Sequence, residues 1–98
     1  MTTKPKINMN RIKNWVSKGQ YDIKEHARQR AFEREITTDQ IIGAILNGEI
    51  ISRDNDHSPY PRARIMGSID GKTIVVIIDQ CKAEIQIVSV YIVYESQI

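Results

Sequence analysis

Residues 62–79 read Arg62-Ala63-Arg64-Ile65-Met66-Gly67-Ser68-Ile69-Asp70-Gly71-Lys72-Thr73-Ile74-Val75-Val76-Ile77-Ile78-Asp79. An Asp-Gly pair between two β-forming runs is the strongest short-range hairpin signal available, so the turn falls at Asp70-Gly71. Ahead of it, Ala63, Ile65 and Ile69 share one face of a strand. Arg62, Arg64 and Ser68 share the other, with Met66 among them. Behind it, residues 73–79 are β-branched on both faces, as in a central strand.

Working outward, residues 85–94 repeat that two-faced β pattern, and Asn55–Pro61 has the Asn, Asp, Ser and Pro chemistry of a loop. Glu49–Asp54 reads as a short strand before the loop. The second half is therefore expected to be a four-stranded antiparallel meander. The first half has a helical period. Met9, Ile12, Trp15 and Val16 recur at helical spacing and Gly19 is placed to end that helix. Tyr21-Asp22-Ile23 reads as a short strand or an extended lead-in. Residues 25–34 are dense in helix formers. Thr37 with Gln40 three residues on fits a capping box, and Ile41, Ile42, Ile45 and Leu46 form an apolar face that Gly48 terminates. The expectation is an α+β fold, with the N-terminal helices packed on one face of a four-stranded antiparallel sheet. The other face would be partly polar and basic, with Arg62 and Arg64 on it. In the last strand Ser89 and Tyr91 share one side, and Val88, Val90 and Ile92 the other.

The 98 residues make one domain (1–98), with residues 1–7 as a loose basic arm. A chain this short buries only about 60–65% of its unfolded surface, so it is marginally stable or leans on a partner. Its composition, 41% hydrophobic and 27% charged, is that of a globular protein rather than a disordered chain. A single cysteine, Cys81, excludes an internal disulfide and a multi-thiolate zinc site. The longest wholly apolar run, Ile74–Ile78, is far too short to span a membrane, and the start lacks the apolar segment of a signal peptide. A cytoplasmic setting is expected. The net charge of +2 conceals an asymmetry: residues 1–34 hold nine Lys/Arg against three Asp/Glu, and residues 35–98 hold five against nine. Any contact with nucleic acid should be localised and salt-sensitive.

His26, Arg30, Glu33 and Arg34 fall on one side of a helix, with Ile23, Ala27 and Ala31 interleaved and Phe32 pointing away. An imidazole beside two guanidiniums suits phosphodiester chemistry: His exchanges a proton near neutral pH, and Arg clamps a phosphate bidentately. Equally, Arg30 or Arg34 could pair with Glu33 or Glu25 and tie the helix to the sheet; for Glu33 that structural role is the stronger reading. Arg62 and Arg64 could track a phosphate backbone, face solvent or dock an acidic partner. Tyr91 and Tyr94 face opposite sides, with Tyr91 on the open face. Trp15 reads as a core anchor. Asp54-Asn55-Asp56-His57 lacks the remaining ligands of a calcium loop and reads as a solvated turn. No cofactor or metal is expected.

The run from Ile23 through His26-Ala27, Arg30, Glu33-Arg34 to Ile36-Thr37 resembles the opening signature of domain-of-unknown-function family 4258. The resemblance continues through Asn47-Gly48-Glu49-Ile50, Pro59-Tyr60-Pro61, Gly67, Asp70-Gly71 and Ser89-Val90-Tyr91, and covers residues 21–94. Two positions depart from the family pattern: Glu35 stands where a Gly is expected, and Ala31 where a bulkier residue such as Met is commoner. The family is grouped with RelE/ParE-like and BrnT-like toxins of bacterial toxin–antitoxin pairs. The resemblance implies a RelE-like fold and metal-free cleavage of messenger RNA, free or on the ribosome, with a cognate antitoxin as partner. The residues that match the family motif are His26, Arg30, Glu33, Arg34 and Tyr91. In the nuclease reading His26, Arg30 and Tyr91 are expected to be catalytic, and Arg34, Arg62 and Arg64 to bind substrate. A non-enzymatic protein- or RNA-binding module on the same fold is the alternative. A DNA-binding regulator ranks last, because no basic recognition helix is evident.

Overall fold

The structure, a computed structural model, describes residues 6–94. In chain order the elements are α1 (Met9–Ser17), β1 (Tyr21–Ile23), α2 (Glu25–Glu33), α3 (Thr38–Asn47), β2 (Glu49–Asp54), β3 (Arg62–Ile69), β4 (Lys72–Gln80) and β5 (Ile85–Ile92).

The α+β class and the three helices agree with expectation; the sheet does not. It has five strands in the order β1-β5-β4-β3-β2, and it is mixed rather than wholly antiparallel. Tyr21–Ile23 is a strand, running parallel to β5 with Tyr21 opposite Ile85 and Ile23 opposite Ile87. Three residues give too short a periodic signal to separate a strand from a lead-in. The pairing is also long-range, so no local pattern announces it. Its effect is to place β5 inside the sheet, hydrogen-bonded along both edges.

Local chemistry sets the element ends. The Asn8 side chain accepts from the Arg11 N–H at 3.0 Å and starts α1. Thr37 and Gln40 form the reciprocal capping box of α3, at 3.1 and 3.0 Å. Asp70 and Gly71 both have positive φ (51° and 76°) and set Ile69 opposite Lys72 in a two-residue hairpin. Helices α1 and α2 end alike. At α1 the N–H groups of Gly19 and Gln20 bond back to Val16 and Trp15; at α2 those of Glu35 and Ile36 bond back to Phe32 and Ala31. Both are Schellman caps, whose residue after the last turn adopts left-handed φ. Gly19 does so freely at 77°; Glu35 is held at 55° despite its Cβ. Lys72 Nζ donates to the Glu35 carbonyl at 2.8 Å and fixes this turn against the start of β4.

All three helices lie on one face. One core cluster joins Ile12 and Val16 of α1, Ala27 and Ala31 of α2, and Ile41, Ala44 and Ile45 of α3 to the sheet residues Ala63, Ile65, Ile74, Val76, Ile78, Ile85, Ile87 and Val90. Each fully buried Ile contributes about 1.5–3 kcal/mol relative to exposure. In β5 the inward residues are spaced two, three and two apart because Val88 is a bulge: Ile78 pairs with Ile87 and Ile77 with Ser89. Strict alternation therefore fails there, and Val88 does not belong to one phase with Val90 and Ile92. Helix α3 lies directly on β3, where a Cβ on Gly67 would collide with the Ala44 carbonyl. Trp15 is half-buried against the core, with the Arg11 guanidinium 6.0 Å above its ring.

Residues 1–5 of the N-terminal arm lie outside the described residues. At its inner end Ile7 is buried, its N–H donating to Asn55 at 2.9 Å. The fully buried Gln80 side chain accepts from the Asn8 N–H at 2.8 Å and donates to the Lys6 carbonyl at 2.9 Å. No helix among the described residues is long and apolar enough to cross a membrane.

Candidate functional site

Helix α2 packs on β5 through two small residues, Ala27 and Ala31, which bring its backbone close to the sheet. His26 projects from the flank into solvent, and neither it nor the Arg34 side chain has a hydrogen bond or ion pair with the described residues. Arg34 is half-buried at the C-terminal cap of the helix. Arg30 Nη1 lies 3.3 Å from Glu33 Oε2. This pair lies within the helix and does not tie it to the sheet. Being largely in water, it contributes only tenths of a kcal/mol, so Arg30 is readily released to an anion. Arg28, which sequence reasoning did not single out, donates from Nε to the Ile23 carbonyl at 3.0 Å and ties α2 to β1. Phe32 points away into solvent, 87% exposed.

The remaining candidates lie across the sheet. Arg62 and Arg64 alternate with the core residues Ala63 and Ile65, so they project from the face that carries no helix. Register puts Arg64 opposite Ile77, and Ile77 opposite Ser89; one row along, Met66 faces Val75, and Val75 faces Tyr91. Arg64, Ser89 and Tyr91 thus share the open face, as expected, with Tyr91 half-buried. Tyr94 is not a core residue; it is 79% exposed.

The sequence-derived set is therefore split. His26, Arg30 and Arg34 stand on the helical side, and Arg62, Arg64 and Tyr91 on the opposite face; the structure does not bring His26 and Tyr91 together. Arg62 is also committed. Its Nε and Nη2 bond Asp79 Oδ1 and Oδ2 at 2.7 and 3.1 Å. The bond to Asp79 raises the Arg62 pKa further above its usual value, against the opposing effect of burial. Arg64 is exposed and has no such partner among the described residues.

The Asp54–His57 segment closes on itself. The Asp56 N–H donates to Asp54 Oδ1 at 3.2 Å, and His57 Nδ1 sits 2.9 Å from the Tyr60 carbonyl oxygen. Among the described residues no group of three His, Cys, Asp or Glu side chains is placed to hold a metal ion.

Sequence reasoning missed one feature at the end of α2. Arg34, Glu35, Lys72, Thr73 and Tyr94 line a shallow groove of about 440 Å³. Its signal was faint: Lys72 directly follows the hairpin turn, and Glu35 is the residue standing where Gly was expected.

These features define a small α+β domain, with three helices on one face of a mixed sheet and polar candidates on both sides. The chain belongs to the family named domain of unknown function DUF4258, which matches residues 23–92. No curated protein and no solved structure shows a significant match to the chain.

Proposed function

We propose that the protein is the toxin of a bacterial type II toxin–antitoxin pair, with a RelE-like fold, and that it cleaves messenger RNA in the cytoplasm. The observation that carries the reading is the flank of α2: an exposed His26, followed along the helix by Arg30 and then by Arg34, with neither His26 nor Arg34 partnered among the described residues. The similarity of the family signature to RelE/ParE-like and BrnT-like toxins supports it as well.

The chemistry needs two things from side chains. His26 takes the proton of an RNA 2′-hydroxyl, whose oxygen then bonds to the adjacent phosphorus while the bond to the 5′-oxygen breaks; the leaving oxygen takes up a proton. Arg30 balances the charge that develops on the phosphoryl oxygens, and Arg34, further along the helix, binds the substrate backbone. DNA, without the 2′-hydroxyl, is not cleaved. In this reading Arg62 is structural, and Arg64 and Tyr91 belong to the open face, the natural surface for the antitoxin. The second reading, a module that binds RNA or protein without catalysis, draws on that same face, where Arg64, Ser89 and Tyr91 lie together.

Inducible expression in a bacterial host tests the proposal. The wild type should arrest growth and generate new messenger-RNA ends, and His26→Ala or Arg30→Ala should relieve both while the protein stays folded. Normal growth with intact RNA and no antitoxin present would defeat it. Pull-down of a small protein encoded next to this one would support the toxin–antitoxin pairing.

A further inference from the structure

The groove at the C-terminal end of α2 combines three features that occur together nowhere else among the described residues. Arg34 is half-buried, which limits the rotamer freedom it must lose on binding, and its guanidinium has no partner among the described residues. Lys72 is held in place by the Glu35 carbonyl at 2.8 Å and by Gln40 Oε1 at 3.4 Å, and its third N–H remains available. Tyr94 presents its ring to water, and its backbone position follows from the Val93 N–H donating to the Thr73 carbonyl at 2.8 Å. Two fixed cations beside an exposed aromatic ring are what single-stranded nucleic acid needs: charge for the phosphates and a flat surface for a base. Glu35 also lines the groove, and its negative charge leaves the three ionised residues with one positive charge in balance.

We infer that this groove binds single-stranded RNA, with Arg34 and Lys72 on successive backbone phosphates and Tyr94 stacked on an unpaired base. The inference deepens the nuclease reading and rests on it for the identity of the polymer. Arg34 lies eight residues beyond His26, about 12 Å along the helix, so the groove lies to one side of the bond to be cut. It is a positioning subsite rather than part of the reacting centre. The Glu35 charge opposes binding, which keeps the site selective for a polyanion over a single phosphate ion.

The test is fluorescence anisotropy with a labelled, non-cleavable 2′-O-methyl oligoribonucleotide, over a range of salt. Arg34→Ala and Lys72→Ala should each weaken binding several-fold and flatten the salt slope by about 0.7. Tyr94→Ala should weaken it about tenfold, and Glu35→Gln should tighten it. Lys82→Ala is the control: it makes the same charge change at an exposed position at the far end of the sheet. An abasic oligonucleotide should remove the effect of Tyr94 and keep those of Arg34 and Lys72. Equal losses in all the lysine and arginine variants, or a loss confined to His26→Ala, would overturn the groove as the binding site, as would the absence of any RNA binding by the wild type. Binding that maps to the groove in a protein that neither cleaves RNA nor arrests growth would retain this inference and remove the nuclease reading. If cleavage occurs, the groove variants should raise KM at nearly constant kcat, whereas His26→Ala should lower kcat.

Discussion

Arg62 grips Asp79 with both arms of its fork, across adjacent strands on the face away from the helices, while Asp79 itself is only 6% exposed. A guanidinium held in this way is a structural part of the sheet and is poorly placed to neutralise a substrate phosphate. Asp79→Ala should leave Arg62 unpaired and lower stability by about 1–2 kcal/mol, less than for a fully buried pair because about a third of the Arg62 side chain meets water. Arg64→Ala, without such a partner, should leave the melting temperature almost unchanged. Thermal melts of both variants check this.

Glu35→Gly tests the cost of holding a left-handed residue that carries a Cβ. The left-handed region costs such a residue about 1–2 kcal/mol, of which the extra freedom of glycine in the unfolded chain cancels part. The variant should be more stable by about 0.5–1 kcal/mol, visible as a rise of a few degrees in Tm. No gain, or a loss, would mean that the extra freedom of glycine in the unfolded chain outweighs the relief of strain, since the Lys72 bond to the backbone carbonyl is kept in the variant.

Gly67→Ala should be the most damaging small substitution in the sheet. The added Cβ would meet the Ala44 backbone carbonyl, not a flexible side-chain end, so α3 would have to lift from β3. A loss of about 3 kcal/mol or more is expected, enough to unfold much of a small domain at ordinary temperature. Urea titration of the variant would measure it.

Burial raises the Cys81 thiol pKa, and the Asp79 and Glu84 charges add to the effect. A thiol whose pKa is higher in the folded state favours folding fully below its unfolded pKa, and this contribution fades as pH rises through the folded value. Stability should therefore fall from about pH 8.5 upward, and Cys81→Ala should fall less steeply over that range. Thiol-reactive reagents at pH 8 should label the native protein slowly and the urea-unfolded protein quickly. Equal labelling rates would contradict the buried, protonated thiol.

Much of the architecture was legible because local chemistry determined it. Gly19, the Thr37–Gln40 pair and Asp70-Gly71 each specify a chain conformation that few other residues accept, and all three occur where the spacing indicated. Even the grip on Asp79 was within reach: a two-residue turn sets Ile69 opposite Lys72, and counting outward from that pair places Arg62 opposite Asp79. What stayed hidden was non-local. Nothing around Tyr21–Ile23 shows that the strand pairs with residues more than sixty positions away. Nothing around Val88 shows that an extra residue shifts the phase of β5. The site was legible as residue types but not as a place. His26, Arg30 and Arg34 share a helix flank as the period required, yet the sheet stands between them and Tyr91, and helical or strand period cannot tell on which side of a sheet a helix will lie. The groove joins residues 34–35 to residues 72–73 and 94, and only the folded chain brings these together.

The interior position of β5 has a consequence for synthesis. Strand β5 is bordered by β1 on one side and by β4 on the other, so a nascent chain that has produced everything up to Gln80 lacks the strand that joins β1 and α2 to the rest of the sheet. Helix α2 then has no sheet surface to rest on, and the domain can only close once β5 has left the ribosome. A ribosome-stalled chain ending after β4 should remain sensitive to protease along its length, and protection should appear only once β5 has emerged.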